Sequence, residues 1–168
     1  MDSHEDHSGR PPSGRRGSPH RLDPSHVSTR LLLDSSAWNR LKDPHLAQAR
    51  AEQLTRAAVS GDLLVSLPFL LGVGFSARNA TEHMDMFDSL LDLPRLVIDR
   101  GAEDRALEVQ RDLAKTAQHR IPPSDLVVAV LADRHGVGVL HYNHHFDLLA
   151  EKTDLDFESI WLAEPGSL

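Results

Sequence analysis

Cysteine is absent from this chain, which excludes disulfides, thiol catalysis and cysteine-ligated zinc. No apolar run approaches the roughly 20 residues needed to span a bilayer. Arginines near the N-terminus are not followed by an apolar core, so no secretory signal is expected. A cytoplasmic protein is the resulting expectation. Positive charge is also in deficit: 18 Lys and Arg stand against 25 Asp and Glu, a net charge of −7. Residues 1–28 hold four arginines and four acids, so the whole deficit falls on the remainder. An acidic domain does not bind polyanions by bulk electrostatics. Nucleic acid would have to be handled through a local basic patch or bound metal ions, which argues against a general RNA-binding module.

What remains is a chain of 168 residues, 40% apolar and 26% charged, enough for one globular domain with a short extension. Residues 1–28 are rich in Ser, His, Pro, Gly and Arg and nearly devoid of aliphatic side chains. They cannot bury enough apolar surface to offset ordering entropy, so a disordered N-terminal tail is expected there. His4-Glu5-Asp6-His7 has the residue types of a metal site, but in such a segment it reads as solvated polar chain. The domain is expected over residues 29–168.

From Arg30 the pattern changes. Leu31-Leu32-Leu33 is a short apolar run ending on Asp34, read as a buried strand with an acid at its C-terminal end. Asp34 to Ser36 can cap a short helix through Trp38 and Leu41. Leu46, Ala49, Leu54, Ala57 and Ala58 recur at helical spacing up to Ser60-Gly61. Leu63 to Val65 is a second strand, and Pro68 suits the first turn of a helix running to about Arg78. A further helix carries Met84, Phe87, Leu90 and Leu91 on one face. Leu96 to Ile98 is a third strand, followed by a helix marked by Ala102, Ala106, Val109 and Leu113. Ser124 is a plausible N-cap for a helix carrying Leu126, Val127, Val130 and Leu131, closed by Gly136. Val137 to Tyr142, Phe146 to Ala150 and Phe157 to Leu162 complete the pattern as strand, short helix and strand. Alternation of this kind predicts an α/β fold with a mostly parallel sheet flanked by helices. Sites in such sheets lie beyond the carboxyl ends of strands, where Asp34 and Asn143 both fall.

Four stretches, in order, carry a resemblance: Leu32-Leu33-Asp34-Ser35-Ser36-Ala37, Pro68 through Phe75-Ser76-Ala77-Arg78-Asn79, Pro122-Pro123-Ser124-Asp125-Leu126, and His141-Tyr142-Asn143-His144-His145-Phe146-Asp147. Together they resemble the PIN domain and specifically its VapC-type toxin ribonucleases. The resemblance implies a three-layer fold and a Mg²⁺- or Mn²⁺-dependent endoribonuclease. It also implies a homodimer held in check by a cognate VapB-like antitoxin, with four carboxylates around the metal. Asp34 matches the first acid and Asp125 the third. The second, a Glu in the helix after Pro68, falls on Gly72. The fourth falls on Asn143, and a further acid two residues later falls on His145.

Asp34 and Asp125 are therefore the candidate metal ligands, with Asn143 as a weaker ligand or water positioner and Ser36, His145 and Arg78 as auxiliary candidates. Mg²⁺ sites often use only one or two carboxylates, so a single weakly held ion fits this set. Losing the Glu position removes a group that can position or activate water, worth roughly 10²–10⁴-fold, so attenuated activity is expected. Asp125 also has a plain alternative, an acid favoured by the helix macrodipole, and Asp34 one as a turn residue. Gly72 and Gly74 lie in one predicted helix; close packing and loss of an unneeded side chain are the two readings, and the second is preferred. His141, His144 and His145 read as polar loop histidines. His145 as a replacement ligand for Mn²⁺ or Zn²⁺, or as a proton-transfer group, is the sharper alternative. Arg105, Arg111, Lys115 and Arg120 read as a mixed solvated helix face rather than an RNA-facing stripe, and Trp38, Phe75, Phe87 and Phe146 as core. The competing functions are a catalytically silent PIN domain that binds RNA or protein, and a phosphatase- or receiver-like domain. The latter is disfavoured because Ser36 stands where dehalogenase-type phosphatases need a second Asp.

Overall fold

A computed structural model describes residues 30–117 and 120–168. The tail over residues 1–28, with His4-Glu5-Asp6-His7, lies outside the described residues. The apolar run forms β1 (Leu31–Leu33), and α1 (Ser35–Trp38) follows at once. Asp34 is the N-cap of α1, accepting the Ser36 backbone N–H, so one carboxylate both ends the strand and starts the helix. Next come α2 (Gln48–Ser60), β2 (Leu63–Ser66), α3 (Leu67–Ser76), α4 (Ala80–Leu90) and β3 (Arg95–Leu96). The chain continues through α5 (Arg100–Lys115), α6 (Pro123–His135), β4 (Gly138–His141), α7 (His145–Lys152) and β5 (Ser159–Trp161). Gly61 and Gly136 end α2 and α6 in the left-handed conformation, φ 78° and 61°, which explains glycine at both stops.

The five strands are parallel in the order β3-β2-β1-β4-β5. Alternation along each strand divides the core between the two faces. Leu32, Leu64 and Val139 pack with Ala102, Val109, Val130 and Phe146 of α5, α6 and α7. Leu31, Leu33, Leu63, Val65 and Leu140 pack with Leu54, Phe69, Val73 and Leu90 of α2, α3 and α4. This is the expected three-layer α/β arrangement. Among the described residues, no helix is long and apolar enough to cross a membrane.

Several local expectations need correction. Phe75 is 93% exposed rather than core, because it lies on the outward face of α3, four residues after the likewise exposed Leu71. On α4, Phe87 and Leu90 face the core as expected, but Met84 (65%) and Leu91 (58%) are exposed. Met86 packs in their place. Ser124 is not an N-cap: α6 starts one residue earlier at Pro123, and Ser124 lies inside its first turn. The strand expected over Leu96–Ile98 pairs only at Arg95 and Leu96. On α5, Arg105 pairs with Glu108 and Asp154, and Lys115 with Asp112, in keeping with a mixed solvated face.

Candidate functional site

The chain builds the sheet outward from β1 to β2 and β3, then returns to add β4 and β5 on the other side. That reversal makes a topological switch point between the carboxyl ends of β1 and β4, the kind of place where open α/β sheets bind ligands. Asp34 follows β1 directly and Asn143 lies two residues beyond β4. The first turn of α6 brings Asp125 to the same end of the sheet, within hydrogen-bond reach of Asn143, where an acid also gains from the helix dipole.

Asp34 is buried. Its Oδ2 accepts the Ser36 N–H at 2.8 Å and the Ser36 hydroxyl at 2.5 Å. The same hydroxyl oxygen accepts the Tyr142 N–H at 2.9 Å, tying α1 to the end of β4. Burial pushes the Asp34 carboxyl above the usual carboxylate range; the Ser36 hydrogen bonds oppose the rise, and the charge of Asp125 adds to it.

Asp125, also buried, is held by side chains from beyond β4. Its Oδ2 accepts the Asn143 side-chain amide at 2.9 Å and lies 2.9 Å from His145 Nδ1. Its Oδ1 accepts the Ser124 hydroxyl at 3.1 Å. The Asn143 amide is oriented unambiguously, since its Oδ1 accepts the His145 backbone N–H at 3.2 Å. A carboxylate facing His145 Nδ1 requires the proton on that nitrogen. The 3.2 Å approach of Asn143 Nδ2 to His145 Nδ1 is then a contact between two donors and not a hydrogen bond.

The three histidines do not form a polar loop. His141 is the last residue of β4 and fully buried. Its Nδ1 accepts the Asn143 N–H at 3.1 Å, so its Nε2 donates to the Ser159 hydroxyl at 2.7 Å. Ser159 donates in turn to Asp147 at 2.6 Å, which also accepts Trp161 Nε1. Burial pushes the His141 imidazole down to about 4, so it is neutral at physiological pH. His144 precedes α7 and His145 begins it. Only His145 reaches Asp125.

Gly72 and Gly74 behave differently. A Cβ on Gly72 would meet Ser35 Cβ at 3.6 Å and Ser35 Oγ at 3.7 Å, ordinary contact beside Asp34. A Cβ on Gly74 would lie 2.9 Å from His83 Nε2 and 3.2 Å from Phe87. Close packing therefore accounts for Gly74 but not for Gly72. Arg78 is not brought to the aspartates: it grips Glu82 through Nε at 3.0 Å and its backbone N–H at 2.7 Å. It lines an open groove of about 1000 Å³ with Trp38, Leu41 and Met86, and neither Asp34 nor Asp125 lines that groove. Sequence reasoning missed Ser66, whose buried hydroxyl has no partner among the described residues. Extending the β1–β2 register puts it level with Asp34. Its signal would have been a hydroxyl ending a second apolar strand.

Among the described residues, no group of three or more His, Cys, Asp or Glu is gathered for a metal. Two buried carboxylates remain, Asp34 and Asp125, and a hard divalent cation held by them would offset the burial of the Asp34 charge. The donor chemistry fits one such ion.

The PIN domain family model matches residues 31–152. Ribonuclease VapC51 of Mycobacterium tuberculosis (strain ATCC 25618 / H37Rv) is 31% identical over 142 residues, covering 84% of this chain and 99% of its own length. Ribonuclease VapC18 of the same strain is 32% identical over 142 residues, covering 82% and 98%. Among solved structures, DNA-bound VapBC from Salmonella typhimurium aligns with a TM-score of 0.63 at 15% identity, over 80% of this chain and 98% of that one. VapBC2 from Rickettsia felis, bound to a promoter DNA fragment, aligns with a TM-score of 0.61 at 14% identity, over 78% and 98%. At those identities the structures speak for the fold alone, while the family model and the relatives place the sequence: this chain belongs to the PIN domain family, in its VapC-type branch.

Proposed function

We propose that the chain is a VapC-like endoribonuclease, the toxin component of a type II toxin-antitoxin system, with attenuated turnover. The observation that carries this reading is the placement of buried Asp34 and Asp125 at the switch point of the sheet, each tied to the residues that follow β4, Asp34 through Ser36 and the Tyr142 N–H and Asp125 through Asn143. Mg²⁺ or Mn²⁺ held by these two carboxylates would supply Lewis acidity and an activated water for phosphodiester hydrolysis. The rest is the work of the chain itself. Ser36 fixes the Asp34 carboxylate against the end of β4, and Ser124 donates to Asp125 Oδ1. Gly72 brings no carboxylate to the face beside Ser35, so no side chain there positions water. The natural partners on this reading are an RNA substrate and a VapB-like antitoxin, in a cytoplasmic homodimer.

A second reading, a catalytically silent PIN domain that binds RNA or protein, is favoured by the absence of a third metal-ligating side chain at the site among the described residues. Metal-dependent cleavage of structured RNA separates the two. Cleavage that disappears in Asp34→Ala and in Asp125→Ala supports the nuclease. No cleavage at any metal concentration, with RNA binding that survives Asp34→Ala, supports the silent module.

A further inference from the structure

Asp125 is doubly occupied. Asn143 Nδ2 and His145 Nδ1 converge on the same oxygen, Oδ2, each at 2.9 Å. Two N–H donors use both lone-pair directions of that oxygen. The Asn143 donor is not free to drift. The Asn143 amide is oriented by the His145 backbone N–H, and its own backbone N–H is held by buried His141. Oδ1 carries only the Ser124 hydroxyl at the longer distance of 3.1 Å, a group that can rotate away. Both positions are also where the family resemblance implies acids, so groups expected to add negative charge here donate hydrogen bonds instead.

We infer that Asn143 and His145 form a clamp that competes with metal for Asp125: they hold Oδ2 in the ion-free protein, and a divalent cation gains that oxygen only by displacing them. This rests on the reading of Asp34 and Asp125 as metal ligands and assigns Asn143 and His145 the opposite sign. They are occupants of the site, not ligands. The clamp also provides what an ion otherwise provides, donors that compensate a buried carboxylate. Metal affinity is lowered by the hydrogen bonds that must be broken.

The sign is testable with Mn²⁺ as the probe, counted on the full chain by the paramagnetic resonance of the free ion. His145→Ala and Asn143→Ala should each bind Mn²⁺ about tenfold tighter than the unaltered protein, because one competing charge-assisted hydrogen bond is gone. Asp125→Asn should bind more weakly. Weaker or unchanged binding in both alanine variants overturns the clamp, as does a lack of Mn²⁺ binding in every form. If the alanine variants fold poorly, the unaltered ¹⁵N-labelled protein answers the question. Mg²⁺ should shift the His145 ring nitrogen and the Asn143 side-chain amide towards values free of hydrogen bonding, and resonances unmoved at saturation overturn it. RNA cleavage absent from all forms, alongside the expected Mn²⁺ order, would remove the nuclease reading and leave the clamp. Cleavage with reduced Mn²⁺ affinity in the alanine variants would remove the clamp alone.

Discussion

The side-chain amide of Asn143 donates to Asp125 Oδ2 at 2.9 Å. An aspartate at position 143 would face that oxygen with a like charge, so the asparagine turns repulsion into restraint. Its consequences can be measured apart from catalysis.

Asp34 carries a stability cost. Burial raises its carboxyl above the ordinary value near 3.8. A raised folded value means a stabilising contribution that is present in acid and lost as pH rises through the folded value. At neutral pH without metal, Asp34→Asn should therefore be more stable than the unaltered protein, since asparagine keeps the helix cap. Thermal melts with and without Mg²⁺ check this. Mg²⁺ should raise the melting temperature of the unaltered protein and leave that of the variant in place.

His141 acts in the opposite direction. Its imidazole is pushed from an ordinary 6.5 down to about 4, so between those values the unfolded chain binds more protons than the folded one. Stability should fall as pH drops through this window, by about 3 kcal/mol across its full width. Urea denaturation from pH 7 to 4.5 should show this slope in the unaltered protein and a flatter one in His141→Gln.

The two glycines of α3 should separate cleanly. Gly72→Ala meets only ordinary contacts and gains helix propensity, so it should stabilise by about 1 kcal/mol. Gly74→Ala presses on His83 and Phe87, whose rings stack at 4.4 Å. It should gain less than Gly72→Ala, because those two rings must give way to the added methyl. Equal effects at both positions would show that α3 packs differently.

Much of this was legible in the chain because the signals are local. Leu31-Leu32-Leu33 followed by Asp34 marks a buried strand and its terminal acid within four residues, and Gly61 and Gly136 mark their helix ends. The outward turn of Phe75 was not legible, because aromatic character signals burial and only the packing of α3 decides which face is covered. Buried His141 escaped for the converse reason. Imidazole reads as polar until Ser159, 18 residues away, and the Asn143 N–H are seen to satisfy it. Asp125 and Asn143 were each picked out singly. Their hydrogen bond spans an α6–β4 connection that local pattern does not encode.

On the proposed function, a metal-dependent RNA-cleaving site survives in Asp34 and Asp125 and is attenuated at Gly72 and Asn143. The most direct measurement compares Mg²⁺-dependent RNA cleavage by the unaltered protein and by the double variant Gly72→Glu, Asn143→Asp. The rate should rise roughly 10²–10⁴-fold in the double variant, and cleavage should be abolished when Asp34→Ala is added. A folded double variant that cleaves no faster, or whose cleavage persists with Asp34→Ala, would contradict that reading.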